Sequence, residues 1–205
     1  MQMYIHKNNQ QYGPYEQAAV IEWLRNGECS LTDLAIREGT SEWQPLWAVV
    51  QVPVGASGDL EAEFKVFEAY GETLDSMTSN LRSADAHASQ QAFRHYEQLL
   101  AILENQVRVL KNQFPGTEEV RMMESFFYGK CAGLQLFRQN MDAALDLFDK
   151  SIAVLDTPGA HLVKASIYQN LNRRREAVRE LDWVIGNFPD QEQEYFAARQ
   201  LRSQL

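Results

Sequence analysis

The chain has 205 residues, 45% of them hydrophobic and 23% charged, and carries a net charge of −9. That apolar content suffices for an ordinary packed core and excludes a disordered chain, a collagen-like chain or a disulfide scaffold. The acidic balance opposes phosphate backbones, so no nucleic acid is expected as a partner. Only two cysteines occur, Cys29 and Cys131, there is no basic and then apolar leader, and no apolar run reaches the ~18 residues of a membrane span, so a cytoplasmic chain without membrane insertion is expected.

In chain order, Met3-Tyr4-Ile5 reads as a short strand, Asn8-Asn9 as a turn, and Gly13-Pro14 as a bend into a helix over Glu16 to Asn26. Ala19, Val20, Trp23 and Leu24 make one apolar stripe on that helix, and Gly27 is placed to cap its C-terminus. Leu34 to Arg37 reads as a second strand, followed by a turn at Glu38-Gly39-Thr40. Trp43 and Trp47 serve either a small core or a surface that docks this module on the helical region. Pro53 to Gly58 then reads as a linker, giving a module at 1–52 and a helical domain at 59–205 with separate cores.

The helical part opens with two seven-residue patterns: Leu60, Phe64, Phe67, Gly71, Leu74, Thr78 and Leu81, then Phe93, Tyr96, Leu100, Leu103, Val107, Leu110 and Phe114. With Arg82 to Asp85 between them they predict an antiparallel hairpin over 59–114. A seam closed within the hairpin implies a monomer, whereas an open one implies self-association. From Thr117, breaks at Asn140, Thr157-Pro158-Gly159, Asn172 and Phe188-Pro189-Asp190 predict three or four more helices in pairs over 117–189, with a final capping helix over 190–205. Ala144-Leu145, Phe148 and Ile152 recur as Ala177-Val178, Leu181 and Ile185 at an offset of 33 residues (144 to 177).

The N-terminal stretch resembles the bacterial type of GYF domain through Tyr4, Tyr12-Gly13-Pro14-Tyr15, Trp23, Gly27, Leu34 to Gly39 and Trp43-Gln44-Pro45-Leu46, over about residues 3–48. The resemblance implies a proline-rich ligand on an aromatic platform made by Tyr15 and Trp23; Tyr4 and Tyr12 are expected as neighbours, and Glu28, itself a departure from the family, is expected to pair with a basic residue beside the prolines. This sequence departs from the family where the Gly-Tyr-Phe triplet reads Gly27-Glu28-Cys29, and where Met3 and Ile5 replace expected aromatics. The C-terminal part resembles tetratricopeptide repeats through Ala132, Ala144, Phe148, Ala165, Tyr168, Ala177, Leu181 and Pro189, with Gln135 and Lys164 standing where apolar residues are usual. That resemblance implies a partner groove drawing on Phe126, Gly129, Gly133, Leu136, Leu162, Ser166 and Gln169. The fold class expected is a small α+β GYF-like module joined to an all-α hairpin and tetratricopeptide-like array, mainly α overall.

Chemistry has few footholds. His6, His87, His95 and His161 fall into no metal-ligand spacing with each other or with the cysteines, and each reads as a spacer; no phosphate-cradling glycine loop or nucleophile elbow occurs. No catalytic residue, metal or cofactor is expected. Arg173-Arg174-Arg175 and Arg179, interleaved with Glu176 and Glu180 and without a stacking aromatic in sequence, read as a solvated turn. Two functions stand: a non-enzymatic protein-interaction adaptor, or a structural subunit that oligomerises through its long helices.

Overall fold

The computed structural model describes residues 2–81 and 85–205, so most of the turn expected at Arg82 to Asp85 lies outside the described residues. By its internal contacts the chain separates into two units, Met1–Thr117 and Glu118–Leu205. The architecture is a small antiparallel sheet module followed by helices, the fold class expected from the sequence.

The first unit begins with strands β1 (Gln2–Lys7) and β2 (Gln10–Glu16), helix α1 (Gln17–Arg25), strands β3 (Leu34–Arg37) and β4 (Gln44–Pro45), and the one-turn helix α2 (Leu46–Val49). The strands run antiparallel in the order β2-β1-β3-β4. Asn8 and Asn9, both at positive φ (52° and 61°), form the two-residue turn between β1 and β2, a conformation asparagine tolerates better than most residues. β2 runs through Gly13-Pro14, where the sequence suggested only a bend. It is an edge strand, and there a proline removes no obligatory ladder hydrogen bond.

Met3, Ile5 and Ala35 from the sheet, Val20, Ile21 and Leu24 from α1, and Leu31 and Leu46 are buried and form the small core. Two long helices complete the unit, α3 (Leu60–Leu81) and α4 (Ala86–Gln113), which pack on each other. Asp85 caps α4 by accepting from the His87 and Ala88 amides. The expected stripes are largely interior: Phe67, Gly71, Leu74 and Leu81 on α3, and Tyr96, Leu100, Leu103, Val107 and Leu110 on α4, are buried within the single chain.

The sheet module and this hairpin belong to one unit, although the sequence suggested a division at 53–58. Three contacts account for this. Trp47, only 6% exposed, meets the His95 ring of α4 edge-on at 5.2 Å, the docking role left open for it above. Glu63 of α3 is fully buried; its Oε1 accepts from the Ser57 hydroxyl at 2.7 Å and faces Arg25 Nη2 of α1 at 3.7 Å. Gln113 at the end of α4 donates to the Gly55 carbonyl at 3.4 Å. The connection is therefore fastened at Gly55 and Ser57 rather than hanging free.

The second unit contains five helices: α5 (Glu118–Phe137), α6 (Met141–Val154), α7 (Pro158–Asn170), α8 (Arg174–Asn187) and α9 (Glu192–Ser203). The sequence predicted three or four plus a cap. α5 pairs with α6, α7 pairs with α8, and α9 packs on α8. The two pairs turn alike, each through a residue at positive φ, Gln139 (59°) and Asn172 (57°), at the offset of 33 (139 to 172) seen in the sequence. One apolar cluster gathers Ala132, Ala144, Leu145, Phe148, Ala160 and Ile167, and a second gathers Ala165, Leu181, Val184 and Ala198. Small alanines at the helix crossings let the backbones approach closely.

Removing the Glu63 carboxylate should leave the Arg25 guanidinium, whose side chain is 12% exposed, to its outward partner Glu22, and should free the Ser57 hydroxyl. Glu63→Ala should lower the stability of the first unit by about 3–5 kcal/mol in urea denaturation, and Arg25→Ala combined with it should cost less than the sum of the two singles. Leu103→Ala should cost about 2–5 kcal/mol as a fully buried truncation without changing the molar mass in solution.

Candidate functional site

The concave feature on which the sequence-predicted aromatics converge lies in the sheet module. Tyr12 and Tyr15 come from β2 and Trp23 from α1; the Tyr15 and Trp23 rings meet edge to face at 4.6 Å and 87°. Ile5 and Lys7 of β1, with Glu28 and Cys29 after α1, complete a cleft of about 240 Å³. Tyr12 stands on its rim, 41% exposed, with its hydroxyl donating to Gln10 at 2.9 Å.

Local backbone geometry builds this cleft. Gly13 sits at φ 121°, and a Cβ there would lie 2.9 Å from the Met3 carbonyl oxygen and 3.1 Å from Tyr4 Cα. Only glycine lets β2 pass this close to β1 and swing Tyr15 toward α1. α1 ends through Gly27 at φ 74°, with the Glu28 amide bonded to the Trp23 carbonyl at 2.8 Å and the Gly27 amide to Leu24 at 3.2 Å. This two-bond termination folds Glu28 back beside Trp23. Lys7 donates to the Glu28 main-chain carbonyl, which leaves the exposed Glu28 carboxylate available on the wall.

Of the residues expected at the platform, Tyr12, Tyr15, Trp23 and Glu28 line the cleft and Tyr4 does not. Strand alternation sends Tyr4 to the opposite face from Ile5, where its ring lies against Gly13. The sequence reading missed Ile5, Lys7 and Cys29. Period-two spacing from Lys7 back to Ile5, opposite Tyr12, is the signal that finds the first two. Cys29 is buried at the floor, and burial, with a smaller contribution from the Asp33 charge, pushes its thiol up to about 12, so it is an inert apolar wall and not a nucleophile.

In the second unit, Phe126 is exposed, with the Lys130 ammonium over its ring at 4.6 Å, and Gly129 and Gly133 leave open space above α5. Leu136 and Leu162 instead pack against the two apolar clusters, while Ser166 hydrogen-bonds back to the Leu162 carbonyl and Gln169 is half-buried. The seven residues are thus a face with an open centre on α5 and a filled flank. Arg173 lies over the Tyr168 ring at 4.7 Å and pairs with Glu176, so an aromatic does accompany the arginine run, from the neighbouring helix.

His161 is not a spacer. It is 7% exposed with a carboxylate oxygen within hydrogen-bond distance of each ring nitrogen, and Lys164, noted above for occupying an apolar position, is buried between two carboxylates. Among the described residues no three His, Cys, Asp or Glu side chains are placed to hold a metal ion, and no helix is long and apolar enough to cross a membrane.

Residues 4–51 match the family model for GYF domain 2. No curated protein and no solved structure matches the chain.

Gly13→Ala tests the geometric account. It should destabilise the first unit by more than about 1 kcal/mol and weaken the Tyr15–Trp23 near-ultraviolet circular dichroism signal, whereas Gly39→Ala, which meets no neighbour, should leave that signal unchanged.

Proposed function

We propose that this chain is a non-enzymatic adaptor. Its aromatic cleft receives an extended, proline-containing segment of one protein, and the α5–α7 face of the second unit, read as a tetratricopeptide-type groove, holds another. The observation that carries the reading is the perpendicular Tyr15–Trp23 pair walled by Tyr12 and Glu28 in a single open cleft. A polyproline II segment is preorganised, carries few donors and presents flat ridges, which suits rings that supply contact area at low entropic cost. The match of residues 4–51 to GYF domain 2 supports the same class of ligand.

The repeat reading draws on the shared 33-residue offset and the small residues at each crossing. Holding two partners on one chain raises the effective concentration of each for the other. The inert Cys29 and the predominance of packing residues support a binding role rather than a catalytic one. A cytoplasmic setting fits the two free thiols. Assembly through an open helical seam has less support, since Leu103, Val107 and Leu110 are buried in the single chain.

So small a platform supports at most high-micromolar binding, about −5 to −6 kcal/mol, of which a central tryptophan supplies about 2. Titrating the labelled full chain with proline-rich peptides should shift the Trp23 indole and Tyr15 signals, and Trp23→Ala with an intact circular dichroism spectrum should abolish the shifts. A lysine or arginine beside the prolines should tighten binding through Glu28, and added salt or Glu28→Gln should remove the gain. No shift at millimolar peptide would sink the cleft reading.

A further inference from the structure

The second unit carries a charged cluster where its two helix pairs meet, and none of the proposed binding functions uses it. His161 and Lys164 come from α7, Glu180 and Trp183 from α8, Asp149 from α6, and Asp156 from the α6–α7 connection. His161 Nδ1 lies 2.5 Å from Glu180 Oε2, and Nε2 lies 2.8 Å from Asp156 Oδ1. Lys164 Nζ bridges Asp149 at 2.7 Å and the other Glu180 oxygen at 2.8 Å. The Trp183 indole donates to Asp156 Oδ2 at 3.3 Å and lies 6.0 Å, ring to ring, from His161.

A neutral imidazole has one N–H and one lone pair. With a carboxylate oxygen at each ring nitrogen, the neutral form would aim its lone pair at an anionic oxygen in a site that is 7% exposed. Only the imidazolium donates to both. We propose that the joint between the α5–α6 and α7–α8 pairs is a proton-operated latch, closed while His161 carries both ring protons and loosened when one leaves.

The charge balance works in the same direction. With His161 protonated, two cations face the three carboxylates Asp149, Asp156 and Glu180. Without that proton, Lys164 is the one cation left facing the three, and the carboxylate at the bare ring nitrogen loses its donor: Glu180 then keeps Lys164, or Asp156 keeps the Trp183 indole. Where the proton leaves Nε2, the α6–α7 connection is the element loosened, because Asp156 joins it to α7 and α8. Burial pulls the His161 value down, but its hydrogen bonds to Glu180 and Asp156, and the charges of those carboxylates, outweigh it and hold the ring above its ordinary range. His161 and Lys164 in turn hold Glu180 below the carboxylate range against its burial.

The sign follows from linkage. A histidine raised on folding contributes stability that is fully present below its unfolded value, about 6.5, and lost as pH rises through the folded value. The test is a pH titration of the full chain between pH 5 and 9, following the imidazole carbon-bound protons and the Trp183 indole N–H by NMR, with a parallel thermal-unfolding series. The latch predicts a His161 midpoint above about 6.5, a Trp183 signal that moves with the same midpoint, and a Tm that declines through it. His161→Gln should flatten that decline and His87→Gln should not. Asp156→Asn, which removes one carboxylate and keeps the shape, should lower the His161 midpoint, and this holds even if the His161 variant fails to fold. A His161 midpoint at or below about 6.5 in the unaltered chain, or a Trp183 signal indifferent to it, would overturn the proposal.

Discussion

A carboxylate with no exposed surface is stable in a protein interior only when nearby donors and a positive charge replace the water it has lost. Glu63 meets that condition at one oxygen, Oε1, which accepts from the Ser57 hydroxyl and amide in the connection and lies 3.7 Å from the Arg25 guanidinium at the end of α1, while Oε2 has no hydrogen-bond partner among the described residues. The requirement is mutual. Arg25 is also largely buried and pairs outward with Glu22 at 2.7 Å, so α1, the connection and α3 are each held by a charge that the others must neutralise. Apolar contacts such as Trp47 on His95 tolerate small displacements, whereas a buried ion pair does not. The placement of the sheet module on the hairpin, and with it the orientation of α1 and Trp23, depends on this pair.

The same pair explains where the sequence was readable and where it was not. Apolar stripes announce themselves by period, so α1, β3, both long helices and the 33-residue recurrence were all legible. Pro53 to Gly58 has the composition of a free linker, and composition says nothing of Ser57 and Gly55 being bonded to Glu63 and Gln113, whose partnerships span the fold and leave no local trace. β2 was obscured for a different reason: Gly13 and Pro14 are breakers by propensity, and only the edge position of the strand makes them acceptable.

At the cleft, what was legible was the chemistry of single residues, and what was not was the face each one takes. Tyr15, Trp23, Tyr12 and Glu28 converge because a Gly13 approach and a Gly27 termination, both visible as glycines, act on either side of them. Tyr4 fails to join them by strand parity alone, a consequence of pairing that becomes decidable once β2 is known to be a strand. Glu28 and Cys29 both line this cleft, the first exposed and the second buried.

The two units differ in how they join their parts. In the first, one buried pair locks a module to a hairpin. In the second, the joint between the helix pairs depends on a histidine whose charge is set by the medium. An apolar contact, insensitive to pH, also crosses this joint: Ala160 and Ile167 of α7 pack with Ala132 of α5 and with Ala144, Leu145 and Phe148 of α6. Lys164 and His161 place ions at the same joint. Replacing apolar filling with ions seldom gains stability, because desolvation offsets most of the attraction. A joint of this composition therefore serves poorly as reinforcement and well as a variable element. The joint thus combines an apolar contact that holds the pairs together with an ionic one whose strength varies with the proton on His161.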